Sequence, residues 1–409
     1  MAAPEIRVSA RRLRKDLQGV LDEASREGGL VWLSAGRRRF LLVNDPELVR
    51  EVMVEREDEL AKPVSQTIDV GPPGPDRVAD PSIVAPFRRA LARGMGTERT
   101  PDVLAAVDAA VRAETADWRD GLRFRLMPRV RRMAIRIAVQ GAFASRLDEE
   151  EIAELERVMR WFNRNPRVVS PWSRRLHRLT LHGLARRRTM ASLHTIARSL
   201  IANADLEKPS ETSAVFETLP DQQDAVVSEL IMGAVGPLAQ TAGWMLWRFA
   251  TEPAEAELLR EEWESGGDRR TQAFVREVTR LHPTNVRITR TAVTDTTAAG
   301  EPVPQYTRVI LNVRGMQREP EPFSVERWLD GRPTAYISFG TGGRRCLGET
   351  IALTALAALL PTLLREWNLD FDAVRATSHG RVQLGDEVTA SVTRRRASSE
   401  APPADPRPS

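Results

Sequence analysis

The spacing of apolar side chains along the chain predicts a mainly helical protein with strands concentrated towards its two ends. Over residues 9–26, Leu13, Leu17, Val20, Leu21 and Ala24 recur at helical intervals, and Gly28 and Gly29 end the pattern. Two apolar runs follow, 30–33 and 39–43, separated by Ala35 and Gly36, and predict a hairpin; Asp45 and Pro46 then open another helix. Helical periodicity returns at 84–93 and in several amphipathic stretches across 101–206, broken at 163–166 and at Ser170 and Pro171. The stretch 221–251 is different, because its apolar residues lie nearly all round the predicted helix. Such a helix must be buried on most sides. Beyond it, a helix ends at Pro283, Arg290 opens a strand, 300–309 reads as a hairpin, and 349–364 as a buried helix. A last hairpin region is expected over 367–393. The run Gly71, Pro72, Pro73, Gly74, Pro75 forbids regular structure within 62–81.

Composition narrows the class. With 409 residues, 42% of them hydrophobic, the chain can bury a large core. We expect one domain over 1–393 and a disordered tail over 394–409, which is rich in Arg, Pro, Ala and Ser. A single cysteine excludes an internal disulfide and makes a reducing cytoplasm the expected compartment. The apolar run 351–364 is too short to cross a bilayer, and residues 1–6 lack the apolar centre of a signal peptide, so no membrane association is expected. The net charge of +4 arises from 60 basic residues interleaved with 56 acidic ones, which argues against nucleic acid as a partner. A monomer is expected.

Candidate chemistry centres on 339–348, FGTGGRRCLG, which carries the only cysteine, Cys346. Gly340, Gly342 and Gly343 permit turns closed to other residues and let a flat ligand approach the backbone; Gly348 leaves space beyond the sulfur. Loop amides and the positive start of the helix from Glu349 would stabilise a thiolate, the form that binds metals. Alone, a single cysteine reads first as a small buried hydrophobe. The placement of Phe339, Gly342, Arg344, Cys346 and Gly348, however, resembles the haem-binding signature of the cytochrome P450 superfamily. That resemblance implies the cytochrome P450 fold, mainly α with a small β-rich lobe. It implies haem b (iron protoporphyrin IX) with Cys346 as the metal ligand, cradled by Phe339, Gly340, Arg344 and Gly348.

The resemblance extends along most of the chain. Glu277 and Arg280, three apart on one helix face, together with Arg327, match the family's structural triad behind the cysteine loop. Arg88, Arg290 and Arg344 match arginines that pair with haem propionates. Val84 departs from the pattern, since the family places Trp or His four residues before Arg88; Arg89 is the expected substitute for Arg88. The 62–81 loop would lie over the substrate, and the breaks near 163–172 would form a lid.

A larger departure lies in the 221–251 helix, where the family carries an acid and a threonine that pass protons to bound oxygen. Those positions hold Gly236 and Pro237. Proline lacks an amide hydrogen, so a kink is expected there, with the Gly233 carbonyl left without its usual partner. Gln240 and Thr241 are the nearest polar side chains, at about 1.5 Å of rise per residue, and complete the candidate oxygen-activation region. Expected pocket residues are Met232, Val235, Gly236, Pro237, Thr284, Asn285, Val286 and Arg287. The activity implied is oxidation (hydroxylation, epoxidation or related) of a small, mostly apolar natural-product intermediate. Oxygen would be the oxidant, with electrons from a separate ferredoxin and ferredoxin reductase docked on arginines such as Arg89, Arg93 and Arg345. Two alternatives stay open: peroxide-driven, coupling or rearrangement chemistry at the same haem, and a haem-binding scaffold without turnover.

Overall fold

The computed structural model describes residues 3–63, 78, 80–164, 181–318, 322–331, 335–372, 376–378 and 382–395. The expected lid region from 165 onward, most of the 62–81 loop and the tail from 396 lie outside these residues.

At one end a mixed sheet gathers strands from both chain termini. β1 (Glu5–Val8) runs parallel to β2 (Leu30–Ala35), which forms a hairpin with β3 (Arg38–Val43) through Gly36 at φ 64°. β4 (Leu60–Ala61) lies at the far edge of the same sheet. β5 (Leu122–Arg125) belongs elsewhere, interrupting the helical third of the chain. β6 (Ile288–Ala292), β7 (Thr296–Ala298), β8 (Glu301–Val303) and β9 (Arg308–Leu311) follow, and β6 and β9 complete the first sheet in the order β1-β2-β3-β9-β6-β4. The hairpin expected over 300–309 is resolved differently: β7 pairs with β8 about Ala299 and Gly300, both at positive φ, while β9 pairs with β3 and β6. Near the C-terminus, β10 (Trp367–Phe371), β11 (Ala376–Ser378), β12 (Val382–Leu384) and β13 (Thr389–Arg394) form a small hairpin, β11-β12, and a sheet ordered β10-β13-β5. Arg394 is thus in a strand, and the Arg395 amide donates to the Glu366 carbonyl at 2.7 Å, so order continues past the expected boundary of the tail.

Two local readings needed tertiary information. The expected 9–26 helix divides into Ala10–Lys15 and Leu17–Glu27, because the Asp16 carboxylate accepts the Gly19 amide and caps a new helix. The segment after Asp45 becomes a 3-10 turn, Pro46–Leu48, and a π-helical turn, Glu51–Glu55.

The helical part is built round Gln223–Thr251, which packs on Leu126–Gly141, Leu181–Ala202 and Glu349–Leu364. Val227, Ile231, Val235, Ala239, Met245 and Leu246 of this central helix are buried in one continuous core that reaches all four. By length and composition alone Pro220–Thr251 is apolar enough to cross a membrane, but half of its most apolar window is buried inside the protein, as in the core helix of a soluble fold. The helix continues without interruption through Pro237. Beyond that proline, Trp244 stacks on His282 with ring centroids 4.1 Å apart, fixing the central helix to the end of Arg269–Leu281.

Candidate active site

The glycine loop is closed by its own backbone. The Cys346 amide donates to the Phe339 carbonyl at 2.8 Å, and the Gly340 amide to Ile337 at the same distance. Gly340 and Gly342 sit at φ 73° and 66°, and a Cβ on Gly342 would come within 2.7 Å of the Met53 carbonyl. No other residue fits there without moving the backbone. At Gly348, by contrast, a Cβ would meet nothing within 4 Å. Burial pushes the Cys346 thiol up, and nearby Glu349 and Glu211 push in the same direction. The nearby Gly348 amide and the Arg88 charge pull it down. Cys346 nonetheless has accessible surface, so the loop leaves one side of the sulfur open.

Cations gather near that sulfur and near one another. Arg88, on the helix Pro81–Gly94, donates to the Arg345 carbonyl at 2.7 Å. Arg344 lies 3.5 Å from Glu57. Arg290, in β6, is 3% exposed and gives one hydrogen bond to the Thr289 carbonyl, while its Nε and Nη2 are buried without a partner. Burial lowers Arg290 to about 10, with Glu57 opposing and Arg344 adding to the shift. Two orphaned guanidinium donors facing inward suit an anion such as a carboxylate. Sequence reasoning missed a fourth cation. Lys62 has accessible surface, yet burial is the main cause lowering it, followed by repulsion from Arg290, Arg344 and Arg88. Its only sequence signal was scarcity, as one of three lysines in the chain.

Behind the loop, Glu277 is fully buried and takes a bidentate pair from Arg280, at 2.7 and 2.8 Å. Arg327, the third expected member, comes only to 3.7 Å. Glu277 also accepts from the Ser324 amide and the Trp328 indole, each at 2.9 Å. Both expected arginines thus pair with the carboxylate, Arg327 at the longer distance, and one indole and one amide that the sequence did not announce stand nearer than the second guanidinium.

On the central helix, a side chain at 236 would point at Met159, whose Cε lies 3.3 Å from the Cβ position, whereas the face at Gly233 is open. Gln240, expected in the oxygen-activation region, is 4% exposed and its Oε1 accepts the Leu384 amide at 3.0 Å, which pins β12 to the helix. Thr241 is buried. Val235 and Val286, expected in the pocket, are buried among core side chains instead, at 1% and 0% exposure. Met232, Thr284, Asn285 and Arg287 retain accessible surface, and Arg287 donates to the Thr289 hydroxyl at 3.0 Å. The arginines expected to meet a partner, Arg89, Arg93 and Arg345, are all exposed, and Arg93 is paired with Glu217 and Arg345 with Glu349.

With this geometry in view, the relatives are consistent. The Cytochrome P450 family model matches residues 175–379, half of the chain. Pentalenene oxygenase of Streptomyces avermitilis is 24% identical over 90% of both chains, and cyclooctat-9-en-7-ol 5-monooxygenase of Streptomyces melanosporofaciens is 22% identical over 84% of this chain and 83% of its own. A crystal structure of a P450 from a Thermus strain superimposes with a TM-score of 0.73 at 21% identity, covering 94% of this chain and 99% of that one. The chain belongs to the cytochrome P450 superfamily and is a haem-thiolate monooxygenase of that fold.

Proposed function

We propose that this P450 oxidises a cyclic terpenoid or similar apolar intermediate of a biosynthetic pathway, with a haem b that Cys346 would ligate. The observation that carries the reading is the pairing of one thiol in a glycine cradle with inward-facing, unpartnered guanidinium nitrogens on Arg290. Cys346 would hold the iron, while Arg290, Arg344, Arg88 and Lys62 would hold the two propionates. When bound, the haem supplies the activation of oxygen. The protein's share is to hold the sulfur as thiolate through the Gly348 amide, to keep the site dry, and to seat the substrate against the open face at Gly233. The substrate class is drawn from the two Streptomyces relatives, whose names specify terpene-derived substrates. Electrons would come from a separate ferredoxin and its reductase.

Proton delivery distinguishes this chain. Since neither Gly236 nor Pro237 has a group able to move a proton, Thr241 lies four residues further along the helix, and the Gln240 Oε1 is taken by the Leu384 amide, water or a hydroxyl of the substrate would serve. The same observation favours peroxide use as a second reading, because peroxide brings its own protons. The test is to supply purified holoprotein with ferredoxin, reductase, NADPH and a panel of cyclic sesquiterpenes, and in parallel with hydrogen peroxide alone. A product heavier by one oxygen with the reductase system supports the first reading. Product only with peroxide supports the second, and no product in either arm contradicts both.

A further inference from the structure

We propose that Glu229 orients the substrate of this P450 by accepting a hydrogen bond from a hydroxyl remote from the reacting carbon, so that the enzyme works on an already hydroxylated apolar molecule. The inference rests on the terpenoid reading above and deepens it. Glu229, Gly233 and Pro237 follow one another at intervals of four on the central helix, so they lie along one slowly turning stripe. At Gly233 that stripe opens onto space with nothing within 4 Å of a Cβ. Glu229 is exposed on it, although its neighbours Ser228 and Ile231 are 2% and 1% exposed. Ser228 turns the other way, lying 3.4 Å from His194 of Leu181–Ala202.

The carboxylate attracts Lys62, whose charge also meets those of Arg290, Arg344 and Arg88, so Glu229 lies on the side of the central helix towards those cations. They form no ion pair with each other, and no hydrogen bond reaches Glu229 from any described residue. Pro237 lies eight positions beyond Glu229, about 12 Å along the axis. That is too far for a part in oxygen chemistry, but suitable for gripping the far end of a polycyclic molecule.

Charge favours a neutral donor. In this group of charges Lys62, Arg88, Arg290 and Arg344 face two carboxylates, Glu57 and Glu229. Two haem propionates would neutralise the excess, which leaves no charge for an ammonium or carboxylate on the substrate to balance. A hydroxyl meets the need of a carboxylate in an apolar pocket without adding charge.

The experiment measures binding to the ferric holoprotein by the substrate-induced shift of the Soret band. The probes are sesquiterpene alcohols, cedrol and patchoulol, each beside its parent hydrocarbon. The alcohols should bind about tenfold or more tightly than the hydrocarbons. Glu229→Leu should bring the ratio close to one, Glu229→Gln should keep part of the preference, and both variants should keep the thiolate-type carbon monoxide spectrum of the parent. Equal binding of alcohols and hydrocarbons by the parent, or an unchanged preference in Glu229→Leu, would overturn the inference while leaving the terpenoid reading standing. Absence of any shift with all probes would overturn both.

Discussion

Arg88 reaches across from its helix to donate a 2.7 Å hydrogen bond to the carbonyl of Arg345, the residue before Cys346. One cation is thereby tied to the backbone of the cysteine loop while its charge also acts on the sulfur. Arg88 therefore has a structural task besides any contact with a propionate.

Arg88→Leu should loosen the loop and shorten the residence of the haem. A lost charge-assisted hydrogen bond is worth about 1.5 to 3 kcal/mol, or roughly tenfold to a hundredfold in rate if the interaction is intact until release. Transfer of haem to excess apomyoglobin measures this directly. Arg89→Leu, on an exposed neighbour, should transfer at the parental rate.

Glu277 contributes through neutralisation rather than through catalysis. With Arg280 2% exposed and bidentate to it, Glu277→Ala strands a buried guanidinium, at a cost of about 3 to 5 kcal/mol. Little folded holoprotein should be recovered. Trp328→Phe removes only one neutral donor to the same carboxylate and should cost about 1 to 3 kcal/mol by urea denaturation. Parental stability of Glu277→Ala would contradict this account of the site.

How much of this was legible in the sequence depended on distance along the chain. Glu277 and Arg280 are three apart, so helix geometry alone brings them together, and the Cys346 loop carries its turn-forming glycines within itself. What was missed is remote. Trp328 reaches Glu277 across 51 residues, and Gln240 meets Leu384 across 144, so neither contact leaves a periodic trace. β5 was hidden because four residues among amphipathic helices show a strand only when β13 lies beside them. Lys62 was obscured by its position at the start of a stretch dominated by Gly and Pro.

Glu211 gives the protein a pH dependence. Its carboxyl is buried, one oxygen has no hydrogen-bond partner, and burial raises it from 4.5 to about 8. Between those values the folded protein keeps a proton that the unfolded chain has released. Stability is therefore fullest below the lower value and falls as pH rises, by about 1.4 kcal/mol per unit at most from this group, until Glu211 ionises in the folded state. Glu211→Gln should remove that slope and be the more stable protein on the alkaline side. Urea denaturation across about pH 5 to 9 compares the two; parallel curves would contradict the assignment.

The central claim is that Cys346 carries the iron, and the carbon monoxide difference spectrum of Cys346→Ala reports on it most directly. The parent, reduced and exposed to carbon monoxide, should give the thiolate-type band, and the variant should lose that band even where it still retains haem. A thiolate-type band in the variant equal to that of the parent would contradict the account, since the chain has no second cysteine to supply the sulfur.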